Sequence, residues 1–217
     1  MSTRLVMVFS RFERFWHWSQ AALIFTLLFT GFAIHGLHRL IDFETAVGVH
    51  TWAALALILL WVFAIFWHIT TGTWRHYLPT VNGLWRVARY YAFGIFLGEH
   101  HPYRKAFRRK HNPLQALTYL ALKLFLFPAI WISGLIYLVY NTWEHVPGAG
   151  DMITVVAIVH VAVAFAILAF VMAHVYLLTT GHSFAEHVKP MLIGYDEVEV
   201  TPAEEAYLEE SKAVPMR

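Results

Sequence analysis

Apolar positions in this chain do not alternate with polar ones; they run on in stretches too long for a soluble element. Nothing charged lies between Arg14 and Arg39, between Glu44 and Arg75, or between Asp151 and Glu186. Between Lys110 and Glu144 the one charge is Lys123. Each window exceeds the ~20 residues a helix needs to cross a hydrocarbon core. The pattern predicts four membrane helices, at about 15–36, 46–70, 114–140 and 153–180. The first is not read as a cleavable signal peptide, because its apolar region is too long and no small-residue cleavage site follows. Residues 71–113 form a long connection in which Leu84 to Phe93 mixes aromatics with bases, as a segment lying in the headgroup layer does. Residues 1–195 therefore read as one transmembrane domain. Residues 196–217, with Glu204, Glu205, Glu209 and Glu210, read as an acidic, solvated cytoplasmic tail.

Composition agrees with this reading. Of 217 residues, 59% are hydrophobic and 14% charged, against about 25% charged in a soluble domain; the mean hydropathy is +0.53. The expected fold class is all-α, an integral membrane four-helix bundle. The absence of cysteine excludes disulfides, thiolate metal sites, Cys-ligated iron–sulfur clusters and covalently attached c-type haem.

Charge placement sets the topology. Arg4, Arg11 and Arg14 precede the first span. Arg75, Arg86, Arg89, Arg104, Lys105, Arg108, Arg109 and Lys110 fill the long connection, and Lys189, Lys212 and Arg217 follow the last span. The turn after the first span has Arg39 against Asp42 and Glu44, and the turn after the third has Glu144 and Asp151 with no base. The positive-inside rule then predicts a multi-pass protein of the prokaryotic cytoplasmic (inner) membrane with both termini cytoplasmic.

Chemistry enters with histidine. His17, His50, His160 and His174 lie inside the apolar runs. His160 and His174 are fourteen residues apart, a whole number of heptads, so their imidazoles leave nearly the same helix face. Their separation along the axis is roughly 21 Å, which puts one site near each surface of a ~30 Å core. The alternating directions of the spans give two depth-matched pairs, His17 with His174 toward the cytoplasm and His50 with His160 toward the periplasm. One membrane histidine is more often a packing residue; four matched in depth point to ligation. Without cysteine, inward imidazole pairs suit two bis-histidine b haems, the iron held by these four residues. Gly31, fourteen residues after His17, and Gly134 on the third span can admit a porphyrin or serve close helix packing. Arg11, Arg14 and Arg39 can meet propionates or lipid headgroups.

A second cluster is Lys110-His111-Asn112-Pro113-Leu114-Gln115, at the cytoplasmic start of the third span. Pro113 suits a first helical position and Asn112 its N-cap. The amides of Asn112 and Gln115 also suit a quinone carbonyl, in a cleft shared with His174. Lys123 is costly inside a span and either snorkels, pairs with a propionate or belongs to a proton path.

With these residues in place, the chain resembles the di-haem, four-helix cytochrome b subunits of prokaryotic respiratory complexes. These are the formate dehydrogenase gamma subunit, the b-type cytochrome of nickel–iron hydrogenases and the thiosulfate reductase cytochrome b subunit. The matching features are Arg14-Phe15-Trp16-His17-Trp18, Gly48-Val49-His50, the Lys110–Gln115 stretch, Pro128 with Gly134, and the His160/His174 pair. They cover about residues 10–195, and Asn112-Pro113-Leu114-Gln115 leans toward the thiosulfate reductase branch; the tail after 196 lies outside. The resemblance implies a membrane anchor joining a periplasmic iron–sulfur or multihaem subunit to the quinone pool. The outer haem, on His50 and His160, would receive electrons, and the inner, on His17 and His174, would face menaquinone or ubiquinone near Asn112. The family often has tyrosine where His111 stands.

The expected function is thus an electron-transfer subunit with a quinone-reactive site and no catalytic domain of its own, contacting lipid and quinone but no nucleic acid. A quinone-independent transmembrane cytochrome is the alternative. A histidine-box di-iron enzyme or a metal transporter is a third class, hinted at by His100-His101 and by His182 with His187.

Overall fold

The long apolar runs become four helices, each long and apolar enough to cross a membrane. In this computed structural model, which describes residues 2–74, 82–99, 102, 112–179, 184–202 and 206, they are α1 (Arg11–Ile34), α2 (Phe43–Thr71), α4 (Pro113–Leu138) and α5 (Ala149–Leu178). Shorter elements lie before, between and after them among the described residues. The helix α3 (Leu84–Arg89) runs on into a π turn at Tyr90–Gly94, α6 spans Phe184–Ile193, and the strands β1 (Ser2–Met7) and β2 (Tyr195–Val200) pair with each other.

The helix ends lie where local chemistry puts them. Helix α1 starts at Arg11, earlier than the apolar pattern alone suggests, because Ser10 and Glu13 form a capping box. The Ser10 N–H donates to Glu13 Oε2 at 2.8 Å and the Glu13 N–H to Ser10 Oγ at 3.2 Å, satisfying two donors the first turn leaves open. Helix α2 starts on Asp42, whose two carboxylate oxygens accept the Thr45 N–H at 2.9 Å and the Thr45 hydroxyl at 2.7 Å. These bonds favour the ionised form and hold the Asp42 carboxyl below its ordinary range.

The third span is predicted as one helix and is interrupted. Residues Leu122–Leu126 form a π turn between α-helical segments Pro113–Ala121 and Phe127–Leu138. Pro128 explains it: a proline brings no N–H to the carbonyl four residues back and its ring crowds that carbonyl, so the backbone widens just ahead of it.

The chain divides into two compact units. Residues 16–67 and 121–175 form one of them, the membrane bundle. Trp61 of α2, 5% exposed, stacks on Phe127 at 4.3 Å and on Trp131 at 4.7 Å of α4, and its Nε1–H donates to Gln20 Oε1 of α1 at 3.0 Å. Phe32 and Phe165 join α1 to α5. Large apolar side chains such as Trp52, Leu59 and Phe66 stay exposed, as lipid-facing positions of a membrane bundle do.

The other unit holds residues 1–15, 68–120 and 176–217. The antiparallel β1–β2 ribbon pairs Val6 with Asp196 and Arg4 with Val198, burying Val6, Val198 and Val200. This ribbon departs from an all-helical reading, and it places residues 196–200 in a ladder instead of a free tail. The alternation Glu197-Val198-Glu199-Val200 is strand-like with one apolar face, but acidity hides it. Gly194 is held at φ 91°, with its carbonyl accepting the N–H groups of Val8 and Phe9. The Arg14 guanidinium donates to the Leu192 carbonyl near the end of α6, so this side chain serves the fold. Residues 84–93 form the expected aromatic and basic helix, with Trp85 exposed and Val87 buried, and Arg89 meets Glu99 at 2.8 Å. The connection's bases Arg75, Arg104, Lys105, Arg108, Arg109 and Lys110, and the tail residues Glu204, Glu205, Glu209 and Glu210, lie outside the described residues.

Candidate haem-ligand site

The bundle brings the four span histidines together as two pairs, in the partners their depths suggest. His17 of α1 faces His174 of α5, ring centres 6.4 Å apart and planes at 51°. His50 of α2 faces His160 of α5, also at 6.4 Å, with planes at 61°. An imidazole nitrogen sits about 2 Å from a bound first-row metal and about 1.2 Å from its own ring centre, so two imidazoles flanking one metal have centres about 6 Å apart. Both pairs match that spacing, so each pair would suit holding one iron between its imidazoles.

The surroundings of His50 and His160 repeat each other. Nδ1 of His50 lies 2.9 Å from the Thr30 hydroxyl of α1, and Nδ1 of His160 lies 2.9 Å from the Ser133 hydroxyl of α4. The residue after each hydroxyl is glycine. A Cβ on Gly31 would stand 3.6 Å from His50 Cε1, and one on Gly134 would stand 3.3 Å from His160 Cε1. The glycines proposed to make room thus line the backbone directly against the two imidazoles. Tyr137 also meets His160 edge-on. Thr30 and Ser133 escape a reading that looks for ionisable residues alone. The echo Thr30-Gly31 and Ser133-Gly134 is the signal that could have found them.

The other pair is set differently. His174 stacks on Phe170, one turn earlier on α5, and Trp18 meets His17 edge-on. Nδ1 of His17 is buried with no hydrogen-bond partner among the described residues. Lys123 lies in the π turn of α4, its Nζ 5.9 Å from the ring centre of Trp16, the neighbour of His17. His68 is buried near the end of α2. Among the described residues no three His, Asp or Glu side chains gather as a multinuclear metal site would need; His100, His101, His111 and His182, and the side chain of His187, lie outside them.

In the other unit, Asn112 and Gln115 form a reciprocal cap at the start of α4. The Gln115 N–H donates to Asn112 Oδ1 at 2.8 Å and the Asn112 N–H to Gln115 Oε1 at 3.1 Å. Asn112 is 5% exposed, and its amide Nδ2 donates to the Tyr91 hydroxyl at 3.2 Å. Burial pushes the Tyr91 phenol above its ordinary range, opposed by the Asn112 bond, so the hydroxyl keeps its proton. The oxygen of Asn112 is committed to capping. The Asn112 amide gives one N–H to Tyr91, and the Gln115 side-chain amide carries further N–H donors beside it.

A four-helix membrane bundle whose facing helices hold two histidine pairs at this spacing has the ligand set that b haem uses. The chain belongs to the family described as prokaryotic cytochrome b561, whose profile matches residues 8–194. It is 32% identical over 199 residues to YdhU of Escherichia coli (strain K12), a protein whose name describes it as a cytochrome; the match covers 88% of this chain and 74% of that one. No solved structure matches the chain. It is therefore a multi-pass, membrane-embedded electron-transfer protein of the cytochrome b class.

Proposed function

We propose that this protein is the membrane-anchor cytochrome b subunit of a respiratory oxidoreductase, carrying electrons between a periplasmic redox subunit and the quinone pool. The observation that supports it best is the equal 6.4 Å spacing of both histidine pairs in one bundle. When bound, two b haems supply reversible one-electron chemistry at the two depths. His50 and His160 would hold the periplasmic one and His17 and His174 the cytoplasmic one. The bundle does the rest: Trp61, Phe127 and Trp131 pack its interior, and Gly31 and Gly134 let the His50 and His160 imidazoles lie close against the backbone.

Quinone is the exchangeable substrate in this reading, either menaquinone or ubiquinone. Asn112 and Gln115 carry amide N–H groups at the start of α4, on the side that the positive-inside rule favours as cytoplasmic. An amide N–H can donate to a quinone carbonyl, and cytoplasmic water can supply the protons that follow two electrons. The partner in this reading is a periplasmic iron–sulfur or multihaem subunit.

The test is haem counting by pyridine haemochrome on purified protein and on histidine variants. Two b haems per chain are expected, one lost in His50→Ala or His160→Ala and the other in His17→Ala or His174→Ala. A preparation with one haem, or losses that do not sort by pair, contradicts the assignment. A quinone-independent transmembrane cytochrome remains if both haems are present but no quinone analogue perturbs them.

A further inference from the structure

The two histidine pairs differ in what stands behind them, and the difference can be followed proton by proton. The Thr30 hydroxyl lies 2.8 Å from the Thr26 carbonyl and 3.2 Å from that of Leu27. The Ser133 hydroxyl lies 2.6 Å from the Ala129 carbonyl and 3.2 Å from that of Ile130. A hydroxyl has one proton and a carbonyl can only accept, so each proton is committed to its own helix. Toward the imidazole each oxygen is left as an acceptor. The hydrogen on that bond must then come from the ring, which makes Nδ1 the protonated nitrogen of both His50 and His160 and leaves each Nε2 lone pair free.

We propose that Thr30 and Ser133 are positioning residues for the ligands His50 and His160, and that they set a haem iron held there at a lower potential than one held by His17 and His174. The proposal rests on the haem reading above. Each hydroxyl fixes the tautomer that can ligate through Nε2 and limits rotation of the ring, as outer-shell acceptors do for metal-bound histidine. Donation from Nδ1–H also enriches the imidazole, and an electron-rich ligand favours ferric over ferrous iron. His17 has no such support at Nδ1 among the described residues. Electrons arriving at the His50/His160 pair would then run downhill to the His17/His174 pair, toward quinone reduction.

Redox titration of membranes, followed optically and by EPR, tests this in Thr30→Val, Ser133→Ala and the double variant. His17→Ala protein, retaining the His50/His160 haem, identifies which signal belongs to which pair. The expected result is two haems per chain, an upward shift of the lower potential alone, and an EPR change reporting rotated ligand planes. Each tenfold loss of ferric preference corresponds to 59 mV for a one-electron couple. Thr30→Ser, which keeps the hydroxyl, should restore the wild-type potential. If a variant sheds haem, the hydroxyl-retaining exchanges Thr30→Ser and Ser133→Thr decide: retention in these supports the proposal, and equal loss overturns it. It is also overturned if neither potential moves with both haems present, or if the His17/His174 signal is the one that shifts. Wild-type protein with no haem would instead remove the reading on which it rests.

Discussion

At the scale of single residues, the site separates side chains whose chemistry is legible from those that act through them. The four histidines could be found because imidazole inside an apolar run is costly unless it is used. Their supporting hydroxyls stand out far less, since Thr and Ser inside membrane helices usually bond their own helix backbone and cost little; only the echo of Thr30-Gly31 in Ser133-Gly134 marks them. The glycines make a graded prediction. A methyl at Gly31 meets His50 Cε1 at 3.6 Å, an ordinary contact, whereas at Gly134 it meets His160 Cε1 at 3.3 Å, tighter than packing usually allows. Gly31→Ala should keep a normal EPR spectrum for the haem at that pair, while Gly134→Ala should alter it or reduce haem occupancy. Equal behaviour of the two variants would mean that backbone space does not govern this site. Asn112 makes a second prediction, because capping uses its amide oxygen and the proposed quinone contact would use its amide N–H. Asn112→Ala removes both functions and should cost about 1 kcal/mol of helix stability. Asn112→Ser keeps a capping oxygen but loses the amide N–H. Quinone-linked turnover should therefore fall several-fold in both variants, as loss of a bond worth about 0.5–1.5 kcal/mol requires. Normal turnover in Asn112→Ser would reduce Asn112 to a cap.

At the scale of elements, the existence of the four spans was legible because nothing but a membrane helix tolerates windows of that length without charge. Their ends and interruptions were not, since those depend on short polar motifs and on one proline. Asp42 shows how local chemistry sets a boundary and how pH should reach it. Its carboxyl is held below the ordinary value by bonds that form in the folded helix. The stabilisation it contributes is present above the ordinary carboxylate range and lost as pH falls through the lowered value. Asp42→Ala should therefore melt below wild type at neutral pH, and the gap should close in strong acid; a gap that widens there would mean the cap is not the cause. The acidic residues that make up half of β2 mask its strand-like alternation. Gly194, at φ 91°, has a Cβ position 2.8 Å from the Phe9 carbonyl. Gly194→Ala combines a disfavoured backbone with a clash and should cost about 1–3 kcal/mol. Limited proteolysis within the first ten residues should report it, with haem content unchanged.

At the scale of the whole molecule, the question is which face of the membrane each pair serves, since that decides whether electron flow builds or consumes a transmembrane potential. An antiparallel ladder between residues 2–7 and 195–200 requires both segments on one side, in keeping with an even number of spans. The excess of lysine and arginine in the tails and in the α2–α4 connection favours the cytoplasm for that side. The cysteine-free sequence makes the test clean, because each introduced thiol reports one position. Leu40, before α2, is 78% exposed, Val146, before α5, is 45% exposed, and Trp85 in α3 is 79% exposed. In intact cells or spheroplasts, an impermeant maleimide should label Leu40→Cys and Val146→Cys and should reach Trp85→Cys only after the membrane is broken. Labelling in the opposite sense would exchange the two histidine pairs between faces. His17 and His174 would then lie beside the periplasmic partner, and the amides of Asn112 and Gln115 would draw their protons from the outside. Electron transfer to quinone would have to be rebuilt from the His17/His174 end, so the thiol map decides between two distinct bioenergetic roles for one bundle.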